Sequence, residues 1–241
     1  MNISELKEAI KSEYKYKIEL HAHTSPASSC SQVSPEDMAV IYKALGYDAV
    51  TIVNHFVYEY RGFSKNEVID RFFDDFERAH RKGEEIGIKV LLAAEIRFTE
   101  NENDYLVFGV SRKIMEEIYD LLPFGIENFR KKYSLPESVF IQAHPFRDEM
   151  EQVDPSLLDG IEVFNMHPNH NSRVGIAAKY AREHNFTIIT AGSDFHHPGR
   201  NHEGVSAIRS RTLPDNSFEL AALLKSGDYL LEAGNDFLIL P

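Results

Sequence analysis

The chain has 241 residues, of which 43% are hydrophobic and 27% charged, as in an ordinary folded protein. Its net charge of −12 argues against nucleic-acid binding, which needs a basic surface, and leaves acidic groups available for cations. No segment resembles a signal peptide or is long enough to span a membrane, and the single cysteine excludes an internal disulfide, so we expect a cytoplasmic protein.

Seven short apolar runs alternate with helical patterns along the chain. Unbroken apolar runs are typical of parallel strands that are buried on both faces. Strands that alternate with helices predict an α/β fold with a parallel sheet or barrel, in one domain over residues 1–241. Helical spacing follows Ser34 and Ser64 and recurs at 114–121, 174–181 and 218–224. The strand candidates are KIEL (17–20), DAVTIV (48–53), KVLLAAEI (89–96), YLVFGV (105–110), VFIQA (139–143), GIEVF (160–164) and FTIITA (186–191).

Residues that can bind metals stand at the ends of these runs, where the chemistry of α/β folds is located. In the first run, Glu19, His21 and His23 alternate and would share one face of a strand. Buried carboxylates and imidazoles are costly unless they are paired or metal-bound, so their recurrence at several strand ends favours a metal site over isolated structural histidines. The other candidates are His55, Glu95, Asp104, His144, Asp194 and His196.

The segments ELHAHT, VNHF, AAEI, AHPFR and AGSDFHH resemble, in this order, the motifs of the PHP (polymerase and histidinol phosphatase) family. The match extends from His21 to about His197. The resemblance implies a distorted (β/α)7 barrel that binds two or three divalent metal ions (zinc, manganese or iron) at the carboxyl ends of its strands. It also implies hydrolysis of phosphate esters by a hydroxide that bridges two metals.

The resemblance further implies how the ligands are shared among the metals. Glu95 would bridge two metals, of which the second is also held by His144. A third metal would use His55 and His196. The remaining ligands of the first metal would be His21, His23 and Asp194.

Three departures from the family pattern affect these expectations. Asn54 stands where many members have aspartate, next to a ligand histidine. Asp104 stands where members often have a histidine ligand, and it is either a metal ligand or a turn residue. The loop after the first motif has Ser28, Ser29 and Cys30 where members usually supply His or Asp to the third metal; Cys30 is either a thiolate ligand or a buried small residue.

The expected reaction centre combines Glu95 and Asp194 with residues that would contact the substrate. Arg147 is the main candidate for binding the phosphate through a bidentate guanidinium. His197 would protonate the leaving group or support a ligand. Weaker phosphate candidates are Arg97 and Arg200, and the expected residues of the pocket rim are His167 and His170.

The predicted function is therefore a phosphatase that acts on a small phosphorylated metabolite, such as histidinol phosphate, or on a nucleotide, and releases inorganic phosphate. One alternative is an amidohydrolase-type enzyme that cleaves C–N bonds; that family typically bridges its metals with a modified lysine, and no lysine stands at the start of YLVFGV. The other alternative is a non-catalytic domain that retains the fold for binding.

Overall fold

The structure is a computed structural model that describes residues 2–199, 203–234 and 237–239. Over these ranges, the α-helices are α1 (Ile3–Glu13), α2 (Pro35–Ala44), α3 (Lys65–Ile86), α4 (Arg112–Leu121), α5 (Gly125–Lys132), α6 (Val174–Glu183) and α7 (Ser217–Ser226). The strands are β1 (Tyr16–Ala22), β2 (Ala49–Ile52), β3 (His55–Val57), β4 (Lys89–Arg97), β5 (Asp104–Phe108), β6 (Val139–Gln142), β7 (Gly160–Asn165), β8 (Ile188–Gly192), β9 (Ser206–Ser210), β10 (Tyr229–Ala233) and β11 (Phe237–Ile239).

The seven predicted strands and five predicted helices are confirmed. They could be predicted because apolar runs and capping residues are strong local signals. Ser64 caps α3, and Glu67 completes the capping box. Helices α1 and α5 were not predicted. The first buries no side chain, and the second has only eight residues, so neither has a long apolar stripe. None of the described helices combines the length and hydropathy needed to cross a membrane.

The strands form one curled mixed sheet in the order β11-β10-β9-β1-β2-β4-β5-β6-β7-β8, and β3 pairs with the end of β4. The expectation of a wholly parallel sheet was wrong. Strand β5 is antiparallel to both β4 and β6, although both of its faces are buried as predicted. Only residues 98–103 connect β4 to β5, and a parallel crossover needs a dozen or more residues.

The predicted distorted (β/α)7 barrel is not confirmed in that exact form, because β8 does not pair with β1 as a strand. Strand β9 takes the edge of β1 at Tyr16–Ile18. At the carboxyl end, Phe195, just beyond β8, forms an isolated bridge with Ala22. There the amide of His23 donates to the carbonyl of Phe195 (3.0 Å), and the amide of Phe195 donates to the carbonyl of His21 (3.2 Å). The sheet therefore closes only at the end where the candidate ligands lie.

Alternate residues of β4 lie in separate parts of the core. Leu91 and Ala93 belong to a cluster enclosed by the curled sheet and α7, whereas Leu92 and Ala94 pack with α3 and α4. Glu95 continues the series of Leu91 and Ala93 toward the carboxyl end of the strand. It lies opposite His55 of β3 in the strand register, so a carboxylate occupies the mouth of an apolar interior.

Gly160 allows β7 to approach β8. A Cβ at this position would lie 2.0 Å from the carbonyl oxygen of Ile188, so Gly160→Ala must displace backbone. We expect this substitution to lower the free energy of unfolding by about 1–3 kcal/mol, as overpacking typically does. In Gly175→Ala, a matched control in α6, the new Cβ meets no atom within 4 Å, and a helical alanine should be neutral or stabilising. Urea denaturation of both variants measures the difference; equal stabilities would contradict this account of the β7–β8 contact.

Candidate metal centre

The carboxyl ends of β1, β4, β6 and β8, together with the first residue of β3, meet in one buried cluster. The close approach of β1 and β8 is possible because Gly192 has no side chain: a Cβ there would lie 2.4 Å from the Cβ of His21. The most exposed member of the cluster is His55, at 18% of its side chain, followed by His196 at 9%. The cluster contains all seven residues predicted as principal ligands: His21, His23, His55, Glu95, His144, Asp194 and His196.

Glu95 lies at the centre of this cluster. Its Oε1 is 3.3 Å from Nε2 of His21 and 3.2 Å from Nε2 of His144. Its Oε2 is 2.8 Å from Nδ1 of His55 and 3.5 Å from Nε2 of His23. Burial opposes ionisation of Glu95, but His55, His21 and His144 outweigh burial and hold its pKa well below the usual range. One ionised carboxylate therefore faces four imidazoles, with a different pair at each oxygen.

Asp194 lies against the other side of the two strand histidines. Its Oδ1 is 3.5 Å from Nε2 of His21 and 3.4 Å from Nε2 of His23. Arg147 donates to its Oδ2, and Asn165 donates to the same oxygen at 3.2 Å. Burial raises the pKa of Asp194, but the effects of His21 and Arg147 dominate and hold it well below the usual range.

Two of these residues have left-handed backbone conformations. Asp194 has φ 53° and His144 has φ 30°. Such conformations cost about 1–3 kcal/mol in residues other than glycine, and they persist where the surroundings impose them. Each follows a strand within two residues, so the chain turns sharply there and directs a polar side chain into the cluster.

Glu162 of β7 is a site residue that our sequence reasoning missed. Its Oε1 accepts a hydrogen bond from Nδ1 of His21 at 2.8 Å, and its Oε2 accepts from the amide of His144 at 3.0 Å. This carboxylate fixes the orientation of one ring and the position of a second ligand. The available signal was a charged residue inside the apolar run GIEVF.

Glu19, in contrast, does not join the cluster. Its carboxylate accepts hydrogen bonds from the Tyr42 hydroxyl (3.0 Å) and from the amides of His21 (2.9 Å) and Ser193 (2.9 Å). The register of β1 against β2 is irregular between Glu19 and Ala22. This irregularity breaks the alternation that predicted Glu19 on the same face as His21 and His23.

The donors of this cluster fit a divalent metal ion. Because Glu162 accepts the Nδ1 proton of His21, the Nε2 of His21 is free to face the cluster, where it lies 3.0 Å from Nε2 of His23. Two imidazole nitrogens at this distance, beside two carboxylates, need a shared proton or a cation between them. Burial lowers the pKa of His21, but Glu162, Asp194 and Glu95 raise it well above the usual value, which shows how strongly the site favours positive charge. Three sets of ligand atoms lie close enough to hold an ion: His23/His55/His196, His21/His23/Glu95 and His55/Glu95/Asp104.

Asp104 opens β5, so the interpretation as a turn residue was wrong. It is buried, with Oδ2 3.9 Å from Nε2 of His144. Arg97 donates to both of its oxygens, at 2.8 and 2.9 Å. Asp104 therefore lies at the edge of the cluster as half of an ion pair, and Arg97 is already engaged by a carboxylate.

Cys30 lies at the rim beside His55 and His196. Its side chain is exposed, so the alternative of a buried small residue was wrong. Partial burial raises the pKa of its thiol, but hydrogen bonds with His196 and His55 outweigh burial and lower it to about 6. The ring of His23 stacks on that of His196 at a centroid separation of 4.2 Å, so the thiol lies beside a group of three imidazoles.

The cluster opens into a cavity of about 310 Å³. Arg147 lies in its wall, where it also donates to Oδ1 of Asn165 at 2.9 Å. The rim contains the predicted residues His167, His170 and His197, and burial lowers the pKa of His167 to about 3. Arg200, a weaker phosphate candidate, lies outside the described residues. Among the described residues, the pocket thus combines buried carboxylates and imidazoles with the guanidinium of Arg147.

No family model matches the chain, and a search of curated proteins finds no similar sequence. Among solved structures, the chain is similar to a two-domain protein from Bacteroides vulgatus ATCC 8482 that contains a predicted PHP-like metal-dependent phosphoesterase. The alignment has 17% identity and a TM-score of 0.63, and it covers 91% of this chain and 65% of the other, so this chain spans less than two thirds of that protein.

Two further solved structures align over 76% of this chain and 89% of the other. One is a candidate metal-dependent phosphoesterase from Bifidobacterium adolescentis ATCC 15703, with 15% identity and a TM-score of 0.51. The other is an amidohydrolase from Chromobacterium violaceum with bound sulfate and no metal, with 15% identity and a TM-score of 0.43, too low to indicate a shared fold. At these identities, the first two likenesses concern the fold.

The position of Cys30 predicts that a soft divalent cation held by His55 and His196 takes the thiolate as a further ligand. We expect the cobalt(II)-loaded protein to show a thiolate-to-cobalt charge-transfer band, and Cys30→Ser to lack it. Because the chain has one cysteine, no other residue can produce this band. A parent protein that contains cobalt but shows no such band would contradict ligation by Cys30.

Proposed function

We propose that this protein is a metal-dependent phosphoesterase that hydrolyses small phosphomonoesters. The observation that carries the proposal is the position of Glu95, whose two oxygens face separate pairs of imidazoles beside a cavity containing Arg147. The resemblance to the ordered motifs of the PHP family supports the same function, as does the similarity of fold to a protein with a PHP-like phosphoesterase and to a second candidate metal-dependent phosphoesterase. The amidohydrolase alternative has less support, because the described lining of the pocket contains no lysine and Glu95 would fill the bridging role.

We propose that two or three divalent ions (zinc, manganese or iron) bind this cluster. His21, His23, Glu95 and Asp194 would hold one, and Glu95 would share a second with His144. A third would be held by His55 and His196, with Cys30 beside them as a further ligand. When bound, such ions supply positive charge that polarises phosphoryl oxygens and activates water as a nucleophile.

Arg147 would bind the phosphate group of the substrate. Its guanidinium is held by Asp194 and Asn165, so its position in the cavity wall is fixed before substrate arrives. Its buried Nε has no hydrogen-bond partner among the described residues. Burial lowers the pKa of Arg147, but Asp194 and other carboxylates raise it overall, so the group stays charged. A fixed, charged guanidinium with an unused N–H is suited to a phosphate oxygen.

Other residues of the pocket would protonate the leaving group and contact the part of the substrate that carries the phosphate. His197 lies in the cavity wall and would donate a proton to the leaving oxygen. His167 and His170 would contact the group that carries the phosphate. A cavity of about 310 Å³ is small for a ligand site and suits a small metabolite, with inorganic phosphate as the product.

Removal of the Glu95 charge tests the central assignment. In Glu95→Gln the side chain keeps its shape, but it loses the charge that faces four imidazoles. We expect the variant to bind at least one divalent ion fewer than the parent and to lose more than 100-fold of its phosphatase activity. Elemental analysis and turnover of a phosphomonoester panel measure both effects.

Glu232→Gln is the matched control, because Glu232 is a buried glutamate of β10 that pairs with Arg209 of β9, away from the cluster. We expect it to retain the metal content of the parent. Full metal occupancy in Glu95→Gln, with only a small loss of rate, would reduce Glu95 to a supporting residue.

Replacing Arg147 by lysine keeps the charge and removes the planar fork. We expect Arg147→Lys to raise KM for a phosphomonoester about tenfold or more, because the fixed guanidinium geometry is lost. Arg130→Lys serves as the control, since Arg130 also pairs with an aspartate but lies near the amino-terminal ends of β6 and β7. Unchanged kinetics in Arg147→Lys would refute the assignment.

A further inference from the structure

Ser28 lies behind the metal centre, in the loop after β1, and is fully buried. Its Oγ has three polar neighbours: Nδ1 of His23 at 3.1 Å, the amide of His55 at 2.9 Å and Oδ1 of Asn54 at 2.9 Å. A hydroxyl has one proton to donate and two lone pairs that accept. The direction of each hydrogen bond therefore depends on which neighbour takes the proton.

The side-chain amide of Asn54 has only one possible orientation. Its Oδ1 is 2.7 Å from the backbone amide of Thr24, and a backbone N–H can only donate. Its Nδ2 correspondingly donates to Oγ1 of Thr24 at 2.7 Å, and that hydroxyl donates to the buried carboxylate of Asp75 at 2.9 Å. Every group in this chain of contacts has a defined role as donor or acceptor.

These roles fix the proton of Ser28. Oδ1 of Asn54 can only accept, so the hydroxyl proton of Ser28 points to it. The two lone pairs of Oγ then accept from the amide of His55 and from Nδ1 of His23. His23 must therefore carry a proton on Nδ1.

We propose that Ser28 is a positioning residue that keeps the proton of His23 on Nδ1, so that the Nε2 lone pair faces Glu95, Asp194 and the cation expected there. The cation at this position rests on the proposed function, whereas the position of the proton on His23 follows from hydrogen bonding alone. Two other histidines also direct Nδ1 to a hydrogen-bond acceptor. Nδ1 of His21 lies 2.8 Å from Glu162, and Nδ1 of His196 lies 2.9 Å from the carbonyl of Asp194.

The partners of His21 and His23 differ in charge. Glu162 is a carboxylate and favours a second proton on His21, whereas the hydroxyl of Ser28 is neutral. The hydrogen bonds of Ser28 therefore set the position of the His23 proton, at Nδ1, and add no charge that would favour a second proton on the ring.

Long-range ¹H–¹⁵N NMR of histidine-labelled protein tests this assignment without any substitution. We expect His23 to show a protonated Nδ1 in the metal-free protein, and a protonated Nδ1 with a metal-bound Nε2 after zinc loading. A proton on Nε2, or zinc on Nδ1, would overturn the proposal. If the protein binds no divalent ion, the proposed function fails, and the metal-free spectrum still decides the role of Ser28.

Ser28→Ala provides the second measurement. We expect zinc affinity, measured by competition with a chelator, to fall about 10–100-fold, as is usual when a residue that orients a ligand is lost. The Nδ1 proton of His23 should also exchange faster with solvent. Ser138→Ala is the control, since Ser138 is a buried serine whose hydroxyl donates to the carbonyl of Gly109 at 2.6 Å, at the end of β6 opposite to the cluster. Equal zinc affinity and equal proton exchange in Ser28→Ala and the parent would contradict the role of Ser28.

Discussion

The arrangement of this pocket depends on one buried carboxylate, that of Glu95. Burying an ionised group costs several kcal/mol unless neighbouring charge compensates it. Glu95 meets four imidazoles and no lysine or arginine within salt-bridge distance among the described residues. Imidazoles offer lone pairs as readily as protons, so the same atoms that stabilise the metal-free carboxylate can bind cations. The close approach at Gly192 and the support from Glu162 keep these atoms together.

The fold places Glu95 there because β4 is longer than its neighbours. With nine residues, β4 extends past the end of β2. Its last three residues, 95–97, pair with β3 on one side and with β5 on the other. The pairing with β3 fixes His55 directly beside Glu95, and the short connection to β5 returns the chain at Asp104. Mixed strand directions therefore contribute to the site rather than disturb it.

Much of this could be predicted from the sequence, because apolar runs and capping residues are local signals. The seven predicted strands follow from the apolar runs. The convergence of residues as distant as His21 and Asp194 follows from the rule that parallel strands present their carboxyl ends at one edge. The direction of β5 follows from the short connection 98–103, which leaves no room for a parallel crossover. The path of β9 beside β1 depends on tertiary packing that no local pattern records.

The supporting residues were harder to predict, because their roles depend on distant partners. Glu162 is marked in the sequence only as a charged residue in an apolar run, and Ser28 only as one of several loop serines. Each acquires its role from a hydrogen bond to a histidine that the local pattern does not indicate. Glu19 shows the converse: a strand irregularity redirects a residue whose spacing matched that of the ligands. Periodicity predicts which elements form, but it does not predict where a strand departs from regular geometry.

The left-handed conformations of His144 and Asp194 have a consequence for engineering this protein. Glycine would adopt these backbone angles without strain, so a design procedure that scores backbone strain alone would be drawn to replace both residues. Asp194→Gly would, however, leave the buried guanidinium of Arg147 without its carboxylate, and His144→Gly would remove one imidazole that compensates Glu95, losses that outweigh the relief of strain. These positions therefore need to be held fixed in any attempt to make the chain more robust.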